Sequence, residues 1–219
     1  MLLPFWFDPG SLTLVLVGSW VMTALRCGLG ETRSALYQAF ALATRPFDRV
    51  EAKAEMAKQV RQIADDGYVR AEARHIGDGE FDYLTDLLIS RRSIDALLEE
   101  HQRYKHDRSD IASRASAVFQ AAAEASPVMG LAGTLIALAS QQTNGETALL
   151  AAVGMAVLST LYGLLVGNVI YVPLATAIAR RNEREEVDRE AVLAWLGEGL
   201  RSINASFIEA RPLATRAKG

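Results

Sequence analysis

The chain has 219 residues, half of them hydrophobic and 22% charged, with a formal net charge of −3 at pH 7 and a single cysteine. This balance supplies no basic surface for nucleic acid, and one cysteine excludes an intrachain disulfide framework. Mean hydropathy is slightly positive, high for a soluble chain and low for one that lies wholly in a membrane, so the composition predicts a divided molecule with apolar spans and polar extensions.

The first apolar segment runs from Ser11 to Leu25 and is closed by Arg26. It is short for a span, and is completed by Arg26 snorkelling to one interface and by Phe5, Trp6 and Phe7 at the other. No positive residue precedes it and no small-x-small cleavage site follows, so residues 1–27 read as an uncleaved membrane anchor and not as a signal peptide. Residues 28–114 form a charged loop of helical character. Val50, Met56, Val60 and Ile63 recur at near-helical spacing, as do Phe81, Leu84, Leu87, Leu88, Ile94, Leu97 and Leu98. Gly67, Gly77 and Gly79 punctuate these stretches. Apolar residues are too few here for an independent domain, which predicts that the loop packs on extensions of the membrane helices. Glu51, Lys53, Glu55, Lys58 and Arg61 are expected on a solvated face, and His75, His101 and His106 as solvated side chains. Cys27 is expected to be an inert packing residue.

Between Arg114 and Arg180 there is no lysine or arginine, and the only carboxylates are Glu124 and Glu146. Two apolar segments, 117–140 and 147–170, each match the ~20 residues that a helix needs to cross a ~30 Å hydrocarbon core. They are joined by the polar turn Gln141-Gln142-Thr143-Asn144-Gly145-Glu146, so 115–180 is predicted to be a transmembrane hairpin. In the tail, 181–219, Leu193, Leu196, Leu200, Ile203 and Phe207 follow a 3-4-3-4 spacing, the seam of an amphipathic helix that needs a partner, with Glu185, Asp188, Arg189, Glu198 and Arg201 off it. The fold class expected is an all-α membrane protein: three transmembrane helices with long cytoplasmic helical extensions. The positive-inside rule places the N-terminus outside and both the loop and the C-terminus inside, because basic residues are confined to 26–114 and to the stretch from Arg180 onward.

Signatures of catalysis are missing from this sequence. There is no phosphate loop, dinucleotide fingerprint, H-E-x-x-H run or zinc-spaced Cys/His set. Catalytic, cofactor-binding and metal-ligating residues are therefore none, and the chain is expected not to be an enzyme. What the hairpin does carry is small and hydroxylated residues. Pro127, Gly130 and Thr134 fall on one face of its first arm, and Ala152, Ala156, Thr160, Gly163 and Gly167 form a small stripe on the second, with Ser159, Gly163 and Gly167 at four-residue spacing. Gly133, Ser159, Gly163 and Gly167 are read as helix-packing residues. Thr134 and Thr160 either bond only to the carbonyl one turn back or present hydroxyls near mid-membrane. The arm interiors contain no Asp, Glu, His or Lys, and Glu124, near the inner boundary, is the candidate pathway entrance. A threonine does not titrate near neutral pH, so any proton carrier must come from another chain.

Ala125-Ser126-Pro127-Val128-Met129-Gly130-Leu131-Ala132-Gly133-Thr134 resembles the A-P-x-x-G-L-x-G-T motif of the MotA/TolQ/ExbB proton-channel family. Ser159-Thr160-Leu161-Tyr162-Gly163-Leu164, with Asn168 and Pro173, resembles the family's second motif in its MotA version. The likeness covers about 110–210. It implies a homopentameric bundle in the bacterial inner membrane, surrounding a single-span partner of the ExbD, TolR or MotB type whose transmembrane aspartate carries the proton. Thr134, Thr160, Pro127 and Gly130 would then line the ion pathway, and no cofactor is implied. Three spans with the N-terminus outside resemble ExbB and TolQ. Met155, at a position where those branches usually carry glutamate, looks instead like MotA. Topology is weighted above helix detail, so the reading is an ExbB/TolQ-like energy transducer that turns proton-motive force into work on an envelope component. The alternatives are a MotA-like motility stator subunit and a non-conducting membrane scaffold; a solute transporter is disfavoured by the absence of a charged intramembrane site.

Overall fold

The computed structural model describes residues 8–44, 47–66, 94–139 and 145–216, together with 80, 82–84, 86 and 87. Phe5-Trp6-Phe7, the 140–144 part of the polar turn, His75, the three loop glycines, Phe81 and Leu88 lie outside these residues, as do the side chains of Val60, Ile63, Ile94, Glu146, Leu200, Ile203 and Phe207. The described elements are all helical: α1 (Pro9–Cys27), α2 (Leu29–Ala41), α3 (Arg49–Asp66), α4 (Ile94–Ala139), α5 (Gly145–Leu165), a π-helical segment (Val166–Tyr171) and α6 (Val172–Arg216). Among the described residues, three helices are long and apolar enough to cross a membrane: α1, α4, and the continuous helix that begins as α5. Two compact units are formed, one from residues 1–45 and 110–181, the other from 46–109 and 182–219.

In the first unit, α1 starts where Asp8 caps it. The carboxylate accepts from the Gly10 and Ser11 amides at 3.1 Å each, and Pro9 sits where a missing N–H costs nothing. The Ser11 hydroxyl bonded to this carboxyl is the main reason its pKa lies below the usual aspartate value. α1 stops at Gly28, whose φ of +90° is a conformation that L side chains rarely adopt. The chain turns there into α2, whose end is held by Arg181 Nη1 donating to Ala41 O at 2.7 Å. The core of this unit joins Val15 of α1, Ala35 of α2, Val118, Phe119 and Ala122 of α4, and Tyr171, Ala175 and Ile178 of the last helix. Trp20 meets Phe119 and Tyr171 edge-on, at ring separations of 5.7 and 5.9 Å.

The π segment has a sequence cause. Ser159, Gly163, Val166, Gly167, Tyr171 and Ala175 are buried on the last helix, and five of them repeat every four residues. In an α-helix that spacing drifts by about 40° per step. A widened turn takes up the drift, and here Val172 N–H bonds to Gly167 O. Pro173 lies just beyond the wide turn; its ring would crowd the carbonyl four residues back in an unbroken α-helix.

The second unit is held by charge as much as by apolar packing. Met56, Leu84, Leu97, Val192, Leu193 and Leu196 are buried, so the loop does pack on helix extensions within this unit, as its composition predicted. Val50, by contrast, is exposed. His101, expected in solvent, is interior, and so is Arg189, expected off the apolar seam of the tail. His101 is 2% exposed and bonds through Nδ1 to Glu80 Oε1 at 2.9 Å; the carboxylate only accepts, so Nδ1 carries the proton. Arg189 is 8% exposed, donates to Glu80 Oε2 at 2.8 Å and lies 4.4 Å over the Phe47 ring. Arg108 bridges Glu80 and Glu186, its Nε reaching Glu186 Oε1 at 2.5 Å. Both burials have one origin: the two oxygens of Glu80 are shared among His101, Arg108 and Arg189, which come from distant positions. On the outer face, Lys105 Nζ is 2.5 Å from Glu190 Oε1, a hydrogen bond that raises the lysine pKa and lowers the glutamate's.

Candidate ion-pathway site

The hairpin arms touch backbone to backbone. A Cβ on Gly130 would lie 2.9 Å from Ser159 O, one on Gly163 2.6 Å from Ser126 O and 3.1 Å from Pro127 Cα, and one on Gly167 2.8 Å from Ala123 O. Nothing larger than glycine fits these three places without movement of the main chain. Pro127 has no N–H to offer Ala123 O, four residues back, and it is this carbonyl that Gly167 approaches, in the manner of a Cα–H···O contact. Such closeness matters in lipid, where burial brings no hydrophobic gain and helices associate by dispersion and interhelical hydrogen bonds. One such bond is present: Ser159, fully buried, donates to Gly130 O at 3.0 Å. Its Oγ occupies the space beside Gly133, 2.1 Å from where a Cβ would stand.

The two threonines are half-buried. Thr134 Oγ1 donates to Leu131 O at 2.7 Å and Thr160 Oγ1 to Ala156 O at 3.3 Å. Each hydroxyl hydrogen is thus spent on its own helix, which leaves each oxygen able to accept from a donor outside the chain. Pro127 is also half-buried, and Gly130 is buried under the second arm. Glu124 is two-thirds exposed and paired with Arg26 Nη1 at 2.8 Å. The candidate entrance therefore holds a solvent-exposed, ion-paired carboxylate.

Several polar contacts were not visible in the sequence. Tyr162 Oη accepts from the Asp8 amide at 3.0 Å, and Ser19 Oγ lies 3.2 Å from Tyr171 Oη, so α1 is fastened to the last helix at two points. Their partners are 154 and 152 residues apart, and no local spacing signals them. Among the described residues no group of three or more His, Cys, Asp or Glu side chains is placed to hold a metal.

Fold and site together define a helical membrane protein whose hairpin arms pack through glycine and leave hydroxyl oxygens along their length. Residues 68–191, more than half of the chain, match the MotA/TolQ/ExbB proton channel family, and the chain belongs to that family. It is 24% identical over 192 residues to chemotaxis protein PomA of Vibrio alginolyticus, a match covering 85% of this chain and 75% of PomA. Motility protein A of Cereibacter sphaeroides is 29% identical over 163 residues, covering 72% of this chain and 61% of the relative. Among solved structures, the C. jejuni MotAB structure superposes with a TM-score of 0.78 at 14% identity, covering 93% of this chain and 84% of that one. The flagellar MotAB stator complex of Bacillus subtilis gives 0.77 at 18% identity, covering 98% and 89%. At these identities the structural matches establish the shared fold.

Proposed function

We propose that this chain is the wall subunit of a proton-driven, MotA-like stator in the bacterial inner membrane, with its N-terminus outside and C-terminus inside. One observation carries the reading. The hairpin offers Thr134 and Thr160 oxygens that accept but do not titrate, and its interior contains no Asp, Glu, His or Lys. A proton therefore needs a carrier supplied by another chain, of the single-span, aspartate-bearing kind expected from the motif, surrounded by several copies of this one. The curated relatives carry motility and chemotaxis names and the structural neighbours are MotAB assemblies, so the motility branch is favoured over the ExbB/TolQ branch first expected. In favour of the latter stand the three candidate spans. The energy scale is adequate, since one charge crossing 100 mV yields ~2.3 kcal/mol. The test is proton flux into liposomes with and without a co-purified single-span partner: flux is expected only with the partner, and equal flux from this chain alone would overturn the proposal.

A further inference from the structure

At the Gly28 bend, α1 and α2 flank an open, shallow cleft of about 410 Å³ whose walls include Trp20, Val21 and Ala24 of α1 and Thr32 and Leu36 of α2. That is within the ~300–1,000 Å³ range of ligand clefts. Its walls are apolar, because the one hydroxyl, Thr32 Oγ1, is turned onto Gly28 O at 2.8 Å. The cleft opens beside an apolar stripe on α2: Leu29 is 79% exposed, Tyr37 74% and Phe40 75%. Arg33 lies within that stripe, one turn from Leu29, Leu36 and Tyr37. It is exposed and has no ion-pair partner among the described residues, whereas Arg26, just before the bend, is taken up by Glu124.

In water this arrangement wastes three large apolar side chains. At a membrane boundary it is favourable, because aromatic rings and an arginine with a long aliphatic stem settle at the headgroup level. A guanidinium there presents a fork that fits phosphate. Glu31, the only carboxylate of α2, is two residues from Arg33 and so on another face, so α2 itself presents no carboxylate beside the stripe to a cationic headgroup amine. We infer that the α1–α2 corner binds an anionic phospholipid, with an acyl chain in the cleft and the phosphate on Arg33. This rests on reading α1 as a membrane span and is independent of ion conduction.

The test uses the full chain in nanodiscs of equal phosphatidylglycerol and phosphatidylcholine, released into mild detergent and weighed by native mass spectrometry. The wild type is expected to retain phosphatidylglycerol over phosphatidylcholine by roughly tenfold, the worth of one charge-assisted hydrogen bond. Arg33→Gln should bring the ratio near unity, Arg33→Lys should keep most of it, and Ala24→Phe, which fills the cleft, should lose both lipids. A wild type without preference, or an Arg33→Gln variant that keeps it, overturns the inference. So does efficient disulfide crosslinking between copies through Leu36→Cys in a Cys27→Ser background, which would assign the cleft to a second copy of this chain. Lipid retention is read without ion flux, so failure here and failure of the stator reading are separable.

Discussion

Four of the hairpin glycines, Gly130, Gly133, Gly163 and Gly167, differ in what a methyl group would strike. At Gly163 and Gly167 the obstacle is a backbone oxygen; at Gly133 it is the Ser159 side chain. Gly163→Ala is therefore expected to cost about 1–3 kcal/mol through overpacking, and Ser126→Ala should not relieve it, since the clash is with Ser126 O. Gly133→Ala should be relieved in large part by Ser159→Ala, and thermal unfolding in detergent reads both pairs. Thr160→Val removes a hydroxyl whose only described bond is to Ala156 O, so assembly and melting should stay near wild type while partner-dependent proton flux falls at least about tenfold, the equivalent of one lost hydrogen bond to the carrier. Full flux in this variant would leave Thr160 a packing residue. At this scale the sequence was informative about small residues, because a close approach leaves its mark on composition. It was poor on polar partners: Asp8 and Tyr162, or Ser19 and Tyr171, meet only through the fold.

Helix type was legible, helix length was not. Hydropathy marks 117–140 and 147–170, yet α4 and the last helix run far past those limits, since helix formation depends on local propensity and the hydropathy window responds only to what lipid tolerates. Residues 29–41 fall inside the charged loop expected over 28–114; the structure makes them α2 and joins it to the unit containing the hairpin. In the other unit, Glu80 is the element-level tie between the loop and two helices. Replacing it by glutamine removes a buried carboxylate that Arg108 and Arg189 share, and breaking such a buried pair costs about 3–5 kcal/mol. Glu80→Gln should raise amide exchange and protease cleavage around Asp82–Leu84 in the full chain. Unchanged exchange there would show that the apolar contacts of Leu84 and Leu87 suffice.

For the whole molecule, charge distribution in the sequence carried the division into spans and extensions, and motif spacing carried the family. The branch did not follow from either: span number and helix detail pointed in different directions, and likeness over most of the chain then added weight to the motility relatives. A subunit without a titratable carrier is expected to be silent alone. Membranes holding this chain without a partner should be no leakier to protons than controls, and the same membranes should become proton-permeable when a single-span chain with a membrane aspartate is co-expressed.

The wide turn at Val166–Tyr171 also means that the last helix is read in two frames. One helical wheel cannot be drawn through it: positions before Val166 and after Tyr171 project onto faces offset by about 100°, one residue's rotation. A relative lacking this turn would align without a gap while presenting different side chains at the level of Ala175 and Ile178. The winding of this short segment, α or π, decides which face of the helix meets α4 there.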